Sequence, residues 1–172
     1  MDNHWSYLLE TGVRAEQLMA TISDTYANKH LTILDACCGH APLYPYLMPT
    51  RRYVGFDSDE GVIKWLRKSY PEGTWICADA AAFMERITMQ VNLLLCLGIV
   101  NGGYDYELQR PVETYLGLIA KYEPPVVLLE SVAQLAALSA IRPLGYRLVS
   151  RGMFHAFLST NSEREWLLWL RE

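Results

Sequence analysis

A chain of 172 residues, 51% hydrophobic and 20% charged, has room for one domain with a substantial core and the composition of an ordinary globular protein. Its formal net charge of -4 and the lack of a dense Lys/Arg stripe argue against nucleic acid as the main partner, because a phosphate backbone calls for a basic footprint. No apolar run reaches the ~18 residues needed to cross a membrane. The first 20 residues carry Asp2, Glu10 and Glu16 rather than a basic-then-apolar leader, so a cytoplasmic location is expected.

The predicted elements alternate. Trp5 to about Ala27 reads as helical, with Ala15, Leu18, Met19, Ile22 and Tyr26 on one face and Gly12 as a break. Residues 1–28 are expected to form a helical cover, either closing a pocket or packing on a sheet. Leu31 to Asp35 is a short apolar strand, followed by a turn, Ala36 to Ala41, of small side chains apart from His40. Pro42, Pro45 and Pro49 confine the next helix to a short or distorted one. Tyr53 to Phe56 is a second strand ending at Asp57. Asp59 to Lys68 is an amphipathic helix with Val62, Ile63, Leu66 and Trp65 inward, acidic at its start and basic at its end as the helix dipole favours. Thr74 to Cys77 is a third strand, Phe83 to Ile87 a short helix, and Val91 to Leu97 an apolar run typical of a strand covered on both faces. Leu108 to Tyr122 is helical, with Val112, Leu116 and Ile119 inward and Pro124-Pro125 as the stop. Val126 to Leu129 is a fifth strand ending at Glu130, and Ser131 is a candidate N-cap. Tyr146 to Val149, extendable to His155, and Glu165 to Arg171 read as two strands joined by turn-forming residues, expected to pair antiparallel.

This alternation predicts an α/β fold: a doubly wound, mostly parallel seven-stranded sheet with helices on both faces and a C-terminal antiparallel hairpin. With no internal repeat or linker, residues 1–172 are read as one domain. Cys37, Cys38, Cys77 and Cys96 make no C-x-x-C pair or zinc spacing, and are read as small buried hydrophobes in a reducing compartment. A redox role for the adjacent Cys37-Cys38 is the alternative.

Three acids stop the first three strands: Asp35, Asp57 22 residues later, and Asp79 22 residues after that. In a doubly wound sheet such ends lie side by side. Asp57 is placed to accept both hydroxyls of a ribose, one on each carboxylate oxygen. Asp79 is placed where an adenine amino group needs an acceptor. The competing reading of each acid is a helix cap or loop residue, and for Asp59 a charge at a helix start is preferred. A dinucleotide would require G-x-G-x-x-G before a regular helix. Here one glycine, Gly39, stands before a proline-interrupted segment, so a ligand without phosphate, bearing an ammonium and a sulfonium, fits the acidic edge better.

The stretch Asp35-Ala36-Cys37-Cys38-Gly39-His40-Ala41 resembles the first motif, Asp-x-Gly-x-Gly-x-Gly, of class I S-adenosylmethionine-dependent methyltransferases. Gly39 matches; Cys37 and Ala41 stand where glycines are usual. The resemblance runs from about Leu31 to the last strand. It implies a ribose-binding role for Asp57 and adenine contacts from Ser58, Asp79 and the Ala80 amide. It further implies backbone at Cys37 and Gly39 against the methionine part, Leu97 in the segment after strand four, and S-adenosylhomocysteine as product. The Asn/Asp-Pro-Pro-Tyr/Phe motif of amino-group methylating relatives is absent, Leu97-Gly98-Ile99-Val100 standing there, and no metal-ligand set is visible.

On the acceptor side, Tyr7, Asn101 and Tyr104 are expected to line the site, with Tyr106, Glu107, His4 and Trp5 nearby. His155 is the candidate base because its ordinary pKa lies near neutrality, against the reading of a surface histidine. Glu130 is read as a solvated loop residue and His40 as packed in its turn. The resulting expectation is methyl transfer to oxygen, nitrogen or carbon of a small-molecule acceptor by a monomer or homodimer. The alternatives are an RNA or protein methyltransferase and a cofactor-binding protein without transferase activity.

Overall fold

The computed structural model describes residues 31–41, 43–47, 52–96, 109–131, 141–155 and 163–172. Seven strands form one sheet: β1 (Thr32–Ala36), β2 (Arg52–Asp57), β3 (Thr74–Cys77), β4 (Leu93–Cys96), β5 (Val126–Ser131), β6 (Tyr146–His155) and β7 (Glu163–Arg171). Their order across the sheet is β3-β2-β1-β4-β5-β7-β6. The first five are parallel, while β7 runs antiparallel to both β5 and β6. The doubly wound sheet with a closing antiparallel hairpin is therefore as expected. The chain reverses its direction of travel between β1 and β4, and a crevice opens beyond the carboxyl ends of strands at such a switch point.

The parallel strands bury both faces. On β1, Ile33 packs into one core layer with Tyr53, Ile63, Leu66, Trp75 and Leu95, whereas Leu34 and Ala36 pack into the other with Phe56, Phe83, Leu118 and Leu129. All four residues of β4 are buried, which is why that run shows no alternation of polar and apolar residues. Helix α1 (Tyr44–Leu47) is a single turn, as the prolines around it require. Helix α2 (Glu60–Ser69) has Asp59 as its N-cap, the side chain accepting from the Val62 amide at 3.0 Å. Ile63 and Leu66 of α2 are buried and Val62 half-buried.

Several expectations need correction. Trp65 is 43% exposed rather than inward, its ring meeting those of His40 and Tyr70 edge-on. Cys77 is exposed and Cys37 half-buried, so only Cys38 and Cys96 are buried hydrophobes. The helix expected from Phe83 begins earlier, as α3 (Ala80–Arg86), because Asp79 caps it and three alanines favour helix. Helix α4 (Gln109–Tyr122) buries Tyr115, Leu118 and Ile119, with Leu116 only partly covered. Glu130 is not a loop residue but part of β5, paired with Trp166; Ser131 is the last residue of that strand, paired with Glu165, and the helix it was expected to cap lies outside the described residues. The N-terminal cover of residues 1–28 lies outside the described residues.

An aromatic bed underlies the β2–β3 end of the sheet. Tyr44, Tyr53 and Trp75 have ring centroids 5.0–5.6 Å apart, within the range where tilted aromatic pairs attract beyond their burial. The Trp75 indole donates to the Tyr70 carbonyl at 2.7 Å. A Cβ on Gly55 would lie 2.6 Å from the Trp75 ring, and one on Gly73 2.5 Å, so both glycines are what let the indole lie flat there.

Candidate functional site

The turn after β1 is built by alternating backbone handedness. Cys37, Gly39 and Ala41 have φ of 53°, 49° and 48°, the left-handed region that is free for glycine and costs other L-residues about 1–2 kcal/mol. These are the three glycine positions of the motif that the sequence resembles. Cysteine and alanine thus occupy glycine conformations, and the turn keeps its shape despite the changed residues. The Cys38 amide donates to the Phe56 carbonyl at 2.9 Å and the Ala41 amide to the Cys38 carbonyl at 2.7 Å. At Gly39 a Cβ would meet nothing within 4 Å, so the space before it is open to a ligand's approach.

Asp57 closes this turn from the neighbouring strand. Its Oδ2 accepts from the Gly39 amide at 2.9 Å and its Oδ1 from the Asp59 amide at 3.0 Å. Backbone donors thereby fix the carboxylate's orientation, while each oxygen keeps a further lone pair for a hydroxyl. Asp79 follows at the end of β3, whose Cys77 pairs with Asp57, and the Ala78 amide donates to the Asp57 carbonyl at 2.9 Å. The cap reading of Asp79 holds: Oδ1 caps α3 through the Ala82 amide at 2.7 Å, while the exposed carboxylate retains lone pairs toward solvent. Ser58 is exposed and Ala80 half-buried beside it. Asp59 caps α2, as preferred from the sequence.

Asp35 differs from both. It is the one buried charged or polar residue among those described, 4% exposed, and its Oδ2 accepts from the Tyr53 hydroxyl at 2.5 Å. Burial drives its pKa up to about 7, the Tyr53 hydrogen bond works against that rise, and the charge of Asp57 adds to it. Cys37 reports the summed field of the edge: burial first, then Asp57, Asp35 and Asp79, push its thiol up to about 12. Three acids, Asp57, Asp35 and Asp79, thus act on one point of this edge. Among the described residues no group of three His, Cys, Asp or Glu side chains converges as a metal cage would need.

The structure brings together Asp35, Cys37, Gly39, Asp57, Ser58, Asp79 and Ala80. Leu97, Tyr7, Asn101 and Tyr104, with His4, Trp5, Tyr106 and Glu107, lie outside the described residues. His40 is exposed rather than packed within its turn, its ring 5.1 Å from that of Trp65. His155 is the last residue of β6, opposite Glu163. Because β6 runs in the same sense as β5, His155 lies on the same sheet edge as the acids. It stands three strands beyond β4, roughly 14 Å away at the usual strand spacing. Sequence reasoning missed Tyr53 as the partner of Asp35. A tyrosine inside an otherwise apolar strand next to one ending in an acid was the available signal.

No family model matches the chain, and no curated protein does. Solved structures do. Magnesium protoporphyrin IX methyltransferase (ChlM) from Synechocystis PCC 6803 with bound SAM superposes with TM-score 0.75 at 15% identity, covering 100% of this chain and 86% of that one. The TehB-like SAM-dependent methyltransferase from Corynebacterium glutamicum gives 0.64 at 19% identity, covering 97% and 99%. N-methyltransferase NodS from Bradyrhizobium japonicum WM9 gives 0.67 at 15% identity, covering 99% of each. The chain has the fold of the class I S-adenosylmethionine-dependent methyltransferases.

Proposed function

We propose that the protein binds S-adenosylmethionine at the β1–β3 strand ends and catalyses methyl transfer to a small-molecule acceptor. The observation that carries this is the Asp57 carboxylate, locked by the Gly39 and Asp59 amides over a turn whose three motif positions all keep the glycine conformation. The residues fit the cofactor. Asp57 accepts the ribose hydroxyls, Ser58, Asp79 and the Ala80 amide hold the adenine, and backbone at Cys37 and Gly39 meets the methionine part, with Leu97 alongside. The acidic edge favours a ligand carrying ammonium and sulfonium charge. Two fold neighbours support a small acceptor by their names: a porphyrin methyltransferase, and a plantazolicin methyltransferase in complex with a desmethylPZN analog and SAH, TM-score 0.65, 12% identity, covering 94% of this chain and 84% of that one.

When bound, S-adenosylmethionine supplies an electrophilic methyl group on sulfur. The protein's part is to orient the two reactants and exclude water. Tyr7, Asn101 and Tyr104 belong to this proposal as acceptor-lining residues. His155 belongs to it as the base for an acceptor long enough to reach from β4 across β5 and β7. No described helix is long and apolar enough to cross a membrane, and an acceptor dissolved in water is part of the reading, as is a cytoplasmic monomer or homodimer. Calorimetric titration with S-adenosylhomocysteine tests the cofactor half, and absence of binding at 100 µM ligand refutes it. Transfer of labelled methyl to a panel of small acceptors tests the other half; labelling of RNA or protein alone, or of nothing, overturns it.

A further inference from the structure

The proposed cofactor site has a buried acid beneath it that ribose and adenine recognition leave unused. Asp35 ends one residue short of the turn, and its one hydrogen-bond donor among the described residues is Tyr53, from the neighbouring strand. The ionisable groups facing it are Tyr53 and Asp57 from β2, Cys37 and Cys38 from the turn, and Cys96 from β4. Tyr44 of α1 stands behind Tyr53. None of these is a cation. Among the described residues, this acid is walled in by other acids, thiols and phenols, and one hydroxyl stabilises its charge. No described residue brings positive charge to it, and the ligand class read for this site carries that charge.

We propose that Asp35 and Tyr53 form a proton-releasing pair: Asp35 holds a proton in the empty protein, gives it to solvent when the cofactor's ammonium arrives, and Tyr53 holds the resulting carboxylate in place. This rests on the S-adenosylmethionine reading. With Oδ2 engaged by the Tyr53 hydroxyl, Oδ1 is the oxygen that carries the proton. On loading, the Oδ1–H bond breaks, its electron pair stays on the carboxylate and the proton passes to the buffer, leaving one negative charge against one ammonium. Tyr53 is a positioning residue. Its hydroxyl keeps donating in both states and is itself held against deprotonation by burial and by Asp35. The aromatic bed of Tyr44 and Trp75 prevents it from swinging away. The titration midpoint of Asp35 in the empty protein, raised to about 7 chiefly by burial, puts the release within the physiological range.

The test is calorimetric titration of the full chain with S-adenosylhomocysteine at pH 6.5, in phosphate and in imidazole, which differ in ionisation heat. At this pH the ligand's amine is already protonated, so protons released come from the protein. About 0.8 proton per ligand is expected, the fraction of Asp35 protonated at that pH. Asp35→Asn is expected to bind with heats that are the same in both buffers. Tyr53→Phe, which removes the donor that lowers the Asp35 midpoint, is expected to move half-release to higher pH and to weaken binding about tenfold. Buffer-independent heats in the wild-type protein, or an unchanged proton count in Asp35→Asn, overturn the inference while leaving the cofactor reading intact. An unmoved half-release in Tyr53→Phe overturns the part given to Tyr53. No binding heat in any buffer, with no displacement of labelled cofactor, sinks the cofactor reading instead.

Discussion

Asp35 and Asp57 lie at the carboxyl ends of neighbouring strands of one sheet, yet they stand in different surroundings. The rim around Asp57 is open: the carboxylate is half-buried, is held by two backbone amides, and faces the unfilled space before Gly39. The bed around Asp35 is closed, with a single hydroxyl as donor and a layer of tyrosine and tryptophan rings behind it. Backbone amides hold a charged carboxylate in place at little cost, because they are donors that need an acceptor anyway. A buried site with one hydroxyl does not, and the group keeps its proton instead. Recognition of a neutral ribose suits the rim; response to a charged ligand suits the bed.

The largest expected effect lies in the bed. A native pKa raised from the ordinary carboxyl range to about 7 makes Asp35 contribute stability that is fully present below about pH 4 and lost as pH rises through about 7, since the unfolded chain gives up this proton first. The change is on the order of 4 kcal/mol. Urea unfolding across pH 4 to 8 should show it, and Asp35→Asn should flatten it; a variant with the wild-type slope would deny Asp35 that role. At the rim, Asp57→Ala should weaken S-adenosylhomocysteine binding at least ~30-fold, by loss of charge-assisted bonds to two hydroxyls, and should cost about 1–3 kcal/mol of stability because the Gly39 and Asp59 amides lose their acceptor. Equal affinity by calorimetry would contradict the ribose assignment.

Gly55→Ala probes the bed again. A methyl placed 2.6 Å from the Trp75 ring should cost about 2–3 kcal/mol through overpacking, and a cost below ~0.5 kcal/mol in chemical denaturation would mean that the indole shifts freely. Asp79→Ala should cost about 1 kcal/mol through loss of the α3 cap. Asp79→Asn should restore that stability without restoring cofactor affinity, and so separates capping from the proposed adenine contact. The smallest effect is at the turn. Cys37→Gly should alter stability by less than about 1 kcal/mol, relief of the left-handed backbone offsetting lost packing and added chain entropy. A loss above ~2 kcal/mol would show that the thiol, rather than the backbone, maintains the turn.

The sequence made the rim legible and left the bed dark. The placement of Asp35, Asp57 and Asp79 at or just beyond the ends of β1–β3 follows from short apolar runs that stop at acids, a local signal. The turn's backbone handedness at Cys37 and Ala41 is not local to either side chain, since both residues ordinarily avoid it, and only the motif's glycine pattern hinted at it. Asp79 looks the same as cap and as ligand because both roles ask for an acceptor oxygen. The pairing of Tyr53 with Asp35 depends on parallel register, Ile33 opposite Tyr53, which no single strand encodes. Trp65 fell on the inward stripe of its helix by spacing alone, but its indole meets His40 and Tyr70 at the surface instead.

The order of strands has a consequence in time. β6 is made before β7, but in the finished sheet β7 lies between it and β5. During synthesis from the N-terminus, the ten residues of β6 leave the ribosome with no strand to join. Their backbone donors and acceptors remain unpaired until β7, carrying the core residue Trp169, has been made and slides into place. That interval exposes an open strand to other chains. The hazard closes only when one late segment completes two ladders at once.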